Sequence, residues 1–396
     1  MILASALMNL AEAATGFHGN DNVDYYPSMS LDEAMCALPI AISDMQCERS
    51  VETQKQNEAL VESAIEALRY GGSMDTSAIT EGVLDTLKST VKKVFDRIRK
   101  FLVSIVNKLK VQIDKIRMNG TQLVNRYGDT VKAKSFNSDC KVNDYNILEN
   151  KSAETIINNV HKYMAKPEDL RTSIFPIADM NKIYDTVYGK TVEEINTKTN
   201  DAISKLSDET AAERRMKLAN AITGKSLSGD KWRDELRKDL YGNDRVDIAY
   251  GSGGFTAENV IDFLKNPVSL THMKSDFDAL KTACDRDQSQ LEKSVEIMGR
   301  ELTNMVAKES EDERKYTKAL TDAANTYTGK ILDVVSDTYS ILSELGRMVV
   351  KFEQARINLA TRMFKKMMDF KSAGSTSKTT EDFDASDALF FVEDDM

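Results

Sequence analysis

The chain has 396 residues, of which 41% are hydrophobic and 29% charged, with five prolines and a net charge of −10. This composition predicts a soluble, helix-rich protein of about two or three domains. The net negative charge argues against a protein that coats DNA along its length, because such a protein needs a basic surface to neutralise phosphates. No apolar run reaches the roughly 18 residues that span a bilayer, and the N-terminus lacks the basic region of a signal peptide.

Cysteine and histidine are scarce, with four and three copies, and no C-x-x-C pair occurs. We therefore expect free thiols in a reducing compartment, and neither a metal nor a cofactor. The glycines of 251–254 are not followed by the G-K-[ST] of a phosphate loop. No metalloprotease, hydrolase or calcium-loop motif occurs. We expect no enzymatic activity and no catalytic residue.

The first part of the chain reads as an extended leader, residues 1–30, followed by helices over 31–133. Ser30 and Glu33 form a capping-box pattern that predicts a helix start. A long helix is then predicted from 79 to 117, with Gly120 as its left-handed cap and a continuation to Val131 as the alternative. Its apolar residues recur every three or four positions: Leu84, Leu87, Val91, Val94, Ile98, Phe101, Ile105, Leu109, Ile113 and Ile116.

Residues 134–268 predict a smaller central module of short helices and loops. The polar, aperiodic stretch from 134 onward indicates a connection or an irregular element. Helices are predicted near 153–165, 192–222 and 231–240, and Thr256 is predicted to cap one more.

Residues 269–371 predict a long helical hairpin. Mainly apolar positions from Phe277 to Met305 repeat with a mean spacing near 3.5, which is the coiled-coil period, and a second periodic run extends from Ile331 to Met367. Gly329 is the predicted break between the two helices. Packed against the N-terminal helices, this hairpin predicts an all-α, elongated helical bundle.

The long helix near residue 100 is strongly basic. Residues 83–118 hold ten cationic and three anionic side chains, a net charge of +7. Its apolar stripe could be bundle core with solvated lysines, or it could enter an anionic membrane surface. The cations could also contact DNA phosphates or the acidic tail of the chain. The candidate contacts with an anionic surface are Lys92, Lys93, Arg97, Arg99, Lys100, Lys108 and Lys110.

The C-terminal segment, 372–396, combines a Ser/Thr/Gly linker with seven acidic residues between Glu381 and Asp395. An apolar plug lies among them. Such a pattern is typical of a flexible tail that docks into a partner groove. The candidate docking residues are Leu389, Phe390, Phe391 and Val392.

The N-terminal part of the chain resembles internal virion proteins of large tailed bacteriophages. The resemblance lies in the leader, the acidic helix from Leu31 and the basic stretch VKKVFDRIRKFLVSIVNKLK. The resemblance covers roughly residues 1–118 and the helical style of the rest. It implies a protein that is carried inside the capsid or ejected with DNA, and trimmed by a prohead protease after Leu-x-Glu. Leu10 and Glu12 form the candidate processing site; the tripeptides at 60–62 and 342–344 also fit.

We therefore expect a non-enzymatic structural protein of a phage head. Its expected partners are other virion proteins or further copies of this chain, with DNA or an anionic membrane as contacts of the basic helix. Its expected location is the capsid interior, or the host cytoplasm during assembly. The alternatives are a membrane-acting helical protein, such as a pore former or surface binder, and a scaffolding or adaptor protein that acts only through protein contacts.

Overall fold

Helices form nearly all of the structure, which confirms the all-α class predicted from the sequence. The computed structural model describes residues 81–145, 151–206, 209–229, 231–242, 245–306 and 311–371. These residues belong to one compact unit, Thr80–Thr376. The predicted leader, the helix beginning at Ser30 and the acidic tail lie outside the described residues.

The elements follow one another in a simple order, with two short strands among the helices. Two 3₁₀ turns, Pro176–Ala178 and Met180–Lys182, come before the fourth helix. The helices are α1 Glu81–Lys132, α2 Lys151–Ala165, α3 Pro167–Ile174, α4 Ile183–Val187, α5 Val192–Ile203, α6 Ala211–Thr223, α7 Trp232–Tyr241, α8 Ala257–Lys265, α9 Val268–Val306 and α10 Glu311–Asp369, and the strands are β1 Lys141–Tyr145 and β2 Arg245–Ala249.

Helix α10 is the central helix of the described unit. It contacts the long helices α1 and α9 and most of the short ones. Its predicted apolar positions from Ile331 to Met367 are all buried, as the periodicity required. The predicted break at Gly329 is wrong, because α10 runs through this residue. A single glycine inside a helix costs only about 1 kcal/mol, which the packing of so long a helix readily offsets.

Helix α1 packs against α9, α8 and α10 through its apolar face. The face differs slightly from the predicted one. Phe95 and Leu102 are fully buried, whereas Val94, Ile98 and Phe101 are only half-buried. Apolar residues are adjacent in this part of α1, as in Val94-Phe95 and Phe101-Leu102. A spacing of three or four residues therefore fits the predicted positions and the buried ones equally well. The predicted positions that are buried are Leu87, Val91, Ile105, Leu109, Ile113 and Ile116.

Gly120 is a crossing point rather than the predicted helix cap. Helix α1 continues through it to Lys132, so the longer of the two predicted forms is confirmed. A Cβ atom at this position would lie 2.1 Å from the carbonyl oxygen of Leu264 in α8. Glycine is therefore required here because the backbones of α1 and α8 approach too closely for any side chain.

The two strands form an antiparallel pair that the sequence did not predict. Lys141 lies opposite Ala249, and Tyr145 lies opposite Arg245. The expected connection from residue 134 thus contains a strand. Five-residue strands that include Asn and Asp have a weak local signal, and their pairing partner lies far along the chain.

The predicted single helix over 192–222 is two helices, α5 and α6. Helix α6 begins at a capping box in which Thr210 Oγ1 accepts a hydrogen bond from Glu213 N, and the Glu213 side chain accepts one from Thr210 N. The T-x-x-E spacing was present in the sequence as a start signal. Because the apolar periodicity continues on both sides of the break, this start signal did not stand out in the sequence. The predicted cap at Thr256 is confirmed, since its side chain accepts a hydrogen bond from Asn259 N.

Lys134 caps the C-terminus of α10 from the segment after α1. Its ammonium group donates to the carbonyl oxygens of Met367 at 3.3 Å, of Phe370 at 3.1 Å, and of Met368. We expect Lys134→Met to lower the free energy of unfolding by about 1–2 kcal/mol, because these carbonyls lose a charged donor at the negative end of the helix dipole. Urea denaturation followed by circular dichroism measures this loss.

The exposed Lys293, in the interior of α9 and far from either helix end, provides the control for that experiment. Because Lys293→Met changes charge and size in the same way, it should alter the free energy by no more than about 0.5 kcal/mol. Equal losses in Lys134→Met and Lys293→Met would contradict a capping role for Lys134.

Candidate functional site

The basic face of α1 is the first candidate site, and its cations fall into two groups. Lys92, Lys100, Lys108 and Lys110 are exposed, whereas Lys93, Arg97 and Arg99 are half-buried. The exposed lysines lie away from the apolar stripe that packs on α9. Burial lowers the pKa of the Arg97 guanidinium.

Arg99 contributes to packing rather than to the free surface. Its Nε donates to Asp285 Oδ1 at 2.6 Å, its Nη2 donates to Gln288 Oε1 at 2.6 Å, and its Nη1 donates to Asp96 at 2.5 Å. The hydrogen bond to Asp285 raises the pKa of the guanidinium. Arg99 therefore fixes the register of α1 against α9 and has few donors left for a phosphate.

The apolar stripe of α1 is already used inside the fold. Leu102 and Ile105 are buried and Phe101 is half-buried. Insertion of this stripe into a lipid surface would require α1 to separate from α9. The exposed lysines, by contrast, can meet an anion without any change in the fold.

A buried ion pair joins α3, α9 and α10. Arg171 Nη1 donates to Asp287 Oδ2 at 2.7 Å, and Tyr339 Oη donates to the same oxygen at 2.9 Å. Arg171 and Asp287 are 1% and 0% exposed, so neither charge has access to water. Burial, followed by the Asp287 charge, raises the pKa of the Tyr339 phenol well above its ordinary value.

A second buried ion pair joins α6 to α10. Arg214 Nε donates to Asp337 Oδ2 at 2.7 Å, and Arg215 Nε lies 3.3 Å from Asp337 Oδ1. Burial raises the pKa of the Asp337 carboxyl, and the two guanidinium groups oppose that shift. Both ion pairs are buried, so they hold the helices together and are not accessible to a substrate.

A third polar cluster brings together His161 of α2 with His272 and Asp276 of α9. His161 Nδ1 is hydrogen-bonded to Asp276 Oδ2, and the two imidazole rings stack with their centroids 4.1 Å apart. One ligand atom from each of the three residues lies within 4.8 Å of the others. Asp276 is buried, His161 is half-buried and His272 is exposed.

No local sequence pattern predicts this cluster, because its two parts are far apart in the chain. His161 and Asp276 are separated by 115 positions. The one local signal was the spacing of His272 and Asp276, which are four residues apart and therefore lie on one face of a helix. That spacing alone is common by chance.

The cysteines in the described part of the chain, Cys140 and Cys284, are buried free thiols, as the sequence predicted for the chain as a whole. Burial raises the pKa of the Cys284 thiol to about 12. A thiol is a nucleophile only as the thiolate, so Cys284 acts as an apolar core residue.

The remaining predicted site residues belong to the leader and to the tail. Leu389, Phe390, Phe391 and Val392 of the tail lie outside the described residues, as do Leu10 and Glu12 of the candidate processing site. Of the other matching tripeptides, the one at 342–344 lies inside α10, where Leu342 and Ser343 are buried. A protease could cut there only after α10 unfolds.

Comparison with known proteins gave no match to any family model, curated protein or solved structure. Within the described ranges, every helix is too short or too polar to cross a membrane. The residues and their geometry are therefore the basis for a functional proposal.

Proposed function

We propose that this protein is a non-enzymatic structural component of a bacteriophage virion, carried inside the head or ejected with DNA, whose exposed lysines on α1 contact the packaged DNA. The virion assignment rests on the resemblance of residues 1–118 to internal head proteins. The observation that supports the DNA contact is the exposure of Lys92, Lys100, Lys108 and Lys110 on a helix whose apolar stripe is already buried.

The physical argument for a DNA contact is electrostatic. Lysine ammonium groups displace counterions from DNA phosphates, and this release drives binding that does not depend on sequence. An α-helix fixes the spacing of such groups at 1.5 Å per residue, so the four exposed lysines extend over roughly 27 Å of helix. The whole chain has a net charge of −10 and would be repelled by DNA phosphates over most of its surface. We therefore restrict the proposed DNA contact to the basic face of α1.

A DNA-binding titration tests this contact. We expect the variant with Lys92, Lys100, Lys108 and Lys110 all changed to Gln to bind a short DNA duplex at least 10-fold more weakly at low salt. The slope of log K against log salt should fall by about 3–4, because four phosphate contacts are removed. Fluorescence anisotropy of labelled DNA between 50 and 200 mM salt measures both quantities.

The control variant removes the same charge from other helices and loops. Lys166, Lys205, Lys238 and Lys318 are exposed and lie outside α1. Their joint replacement by Gln should change DNA affinity much less. Equal weakening in both variants would show that only net charge matters, and it would refute a binding face on α1.

The virion assignment has its own test. The protein should copurify with phage particles and should appear in mass spectra of purified virions. The mature N-terminus in those particles should begin at Ala13 if Leu10 and Glu12 form the processing site. Absence of the protein from washed particles would overturn the assignment.

Liposome experiments separate the alternatives. A membrane-acting protein should bind anionic vesicles, and leakage should require Phe101, Leu102 and Ile105. A scaffolding or adaptor protein should bind neither DNA nor vesicles. The buried stripe of α1 favours the DNA contact over the membrane role, because membrane entry would expose the core of the described unit.

A further inference from the structure

We propose that His161, His272 and Asp276 bind one divalent transition-metal ion of the zinc type, which links α2 to α9. The three side chains offer two imidazole nitrogens and a carboxylate oxygen within 4.8 Å of one another. Three protein ligands of this kind leave at least one coordination position for water. This inference does not depend on the proposed contact with DNA.

The packing of α2 on α9 brings the three proposed ligands together. His272 and Asp276 are four residues apart on α9, so their side chains lie on the same face one turn apart. Helix α2 crosses this face and supplies His161, which hydrogen-bonds Asp276. Two ligands from one helix and a third from its neighbour give a site whose geometry is fixed by helix packing.

Burial divides the site into a rigid part and an adjustable part. Asp276 is 7% exposed, so the fold holds its carboxylate in place, whereas His272 is exposed. The stacked imidazoles must turn for both nitrogens to point at one ion. In a tetrahedral zinc site, ligand atoms lie about 3.3 Å apart, given bond lengths near 2.0–2.1 Å. Rotation of the exposed His272 side chain provides this adjustment and also the entry path for the ion.

The ligand types select the class of ion. Imidazole nitrogens favour Zn²⁺, Co²⁺, Ni²⁺ and Cu²⁺, whereas Ca²⁺ and Mg²⁺ prefer oxygen ligands. An ion bound only by the folded protein stabilises the folded state, because the unfolded chain separates His161 from the α9 ligands. The expected consequence is a higher melting temperature in the presence of zinc.

Metal titration of the full chain without an affinity tag tests the proposal. After removal of bound metal with EDTA, Co²⁺ should bind with one equivalent and give visible absorption bands, and Zn²⁺ should displace it. His272→Ala, His161→Ala and Asp276→Asn should each weaken Zn²⁺ binding at least 10-fold in isothermal titration calorimetry. Zn²⁺ should raise the melting temperature of the unmodified protein by several degrees, but not that of His272→Ala.

The third histidine of the chain, His18, provides the control. His18→Ala removes an imidazole that is not one of the three proposed ligands, so its Zn²⁺ affinity and its thermal shift should match those of the unmodified protein. His272→Ala is the decisive variant, because the side chain is exposed and its removal is expected to leave the melting temperature of the metal-free protein almost unchanged. Lack of Co²⁺ and Zn²⁺ binding by the unmodified protein, or unchanged binding by His272→Ala, would overturn the proposal.

Discussion

Replacing Arg171 with methionine is expected to lower the free energy of unfolding by about 3–5 kcal/mol, because it leaves a buried charge without its counterion. Asp287 is completely buried, and its Oδ2 atom accepts the hydrogen bond of Arg171. Its Oδ1 atom has no hydrogen-bond partner in the described part of the chain. In the variant, only the Tyr339 hydroxyl would remain to stabilise the carboxylate. Guanidinium denaturation followed by circular dichroism measures the loss.

Two further variants make this prediction specific. Arg171→Met combined with Asp287→Val and Tyr339→Phe removes both charges and the hydroxyl that would lose its acceptor. This variant should recover most of the lost stability, because apolar side chains avoid the desolvation cost. Arg286 forms a solvent-accessible ion pair with Glu168, so Arg286→Met should cost about 1 kcal/mol or less. A loss from Arg171→Met no larger than that from Arg286→Met would contradict the role assigned to the buried pair.

Replacing Gly120 with alanine is expected to destabilise the protein by about 2–3 kcal/mol, although alanine is the better helix former. The new methyl group would lie 2.1 Å from the carbonyl oxygen of Leu264. This atom belongs to the backbone of α8 and cannot turn away as a side chain could, so α1 and α8 must move apart. Thermal and chemical denaturation of the variant measure the cost.

Gly329 is the matched control for this substitution. It also lies inside a long helix, but in the described part of the chain no atom other than the adjacent backbone of α10 lies within 4 Å of where its Cβ would be. Gly329→Ala should therefore stabilise the protein by about 0.5–1 kcal/mol through helix propensity alone. The opposite sign of the two effects is the test. Destabilisation by Gly329→Ala would contradict a continuous α10.

Gly120 and Gly329 show that a glycine in an apolar periodic run does not by itself distinguish a helix end from a helix interior. Each interrupts an apolar periodic run, and each was interpreted as a helix end or break. The intrinsic cost of a helical glycine is similar at both positions. Gly120 differs because α8 crosses α1 there, and nothing in the residues around it records that crossing.

The same limit applies to the core face of α1. Val94 and Phe95 are adjacent apolar residues, and either one continues a pattern of threes and fours from Val91. Phe95 is fully buried and Val94 is half-buried because α9 lies on the Phe95 side. The periodicity therefore identified the helix but not the exact line of contact.

No local sequence pattern predicted the polar clusters in the core. Arg171 and Asp287 lie 116 positions apart, and the sequence around each is that of an ordinary helix surface. The histidine cluster is similar, with only the spacing of His272 and Asp276 visible in advance. The charge pattern did identify the exposed lysines of α1, since helix-surface lysines remain solvated wherever the core lies.

The sequence by itself determined the helical class, the presence but not the bounds of the long helices α1, α9 and α10, and the cap at Thr256. These features depend on hydrogen bonds between residues four apart and on apolar spacing within one segment. Only the tertiary structure decided the β1–β2 pair, the need for glycine at 120, the buried ion pairs and the meeting of His161 with His272 and Asp276. Each of these depends on segments about 100 or more residues apart, which approach one another only when the helices pack.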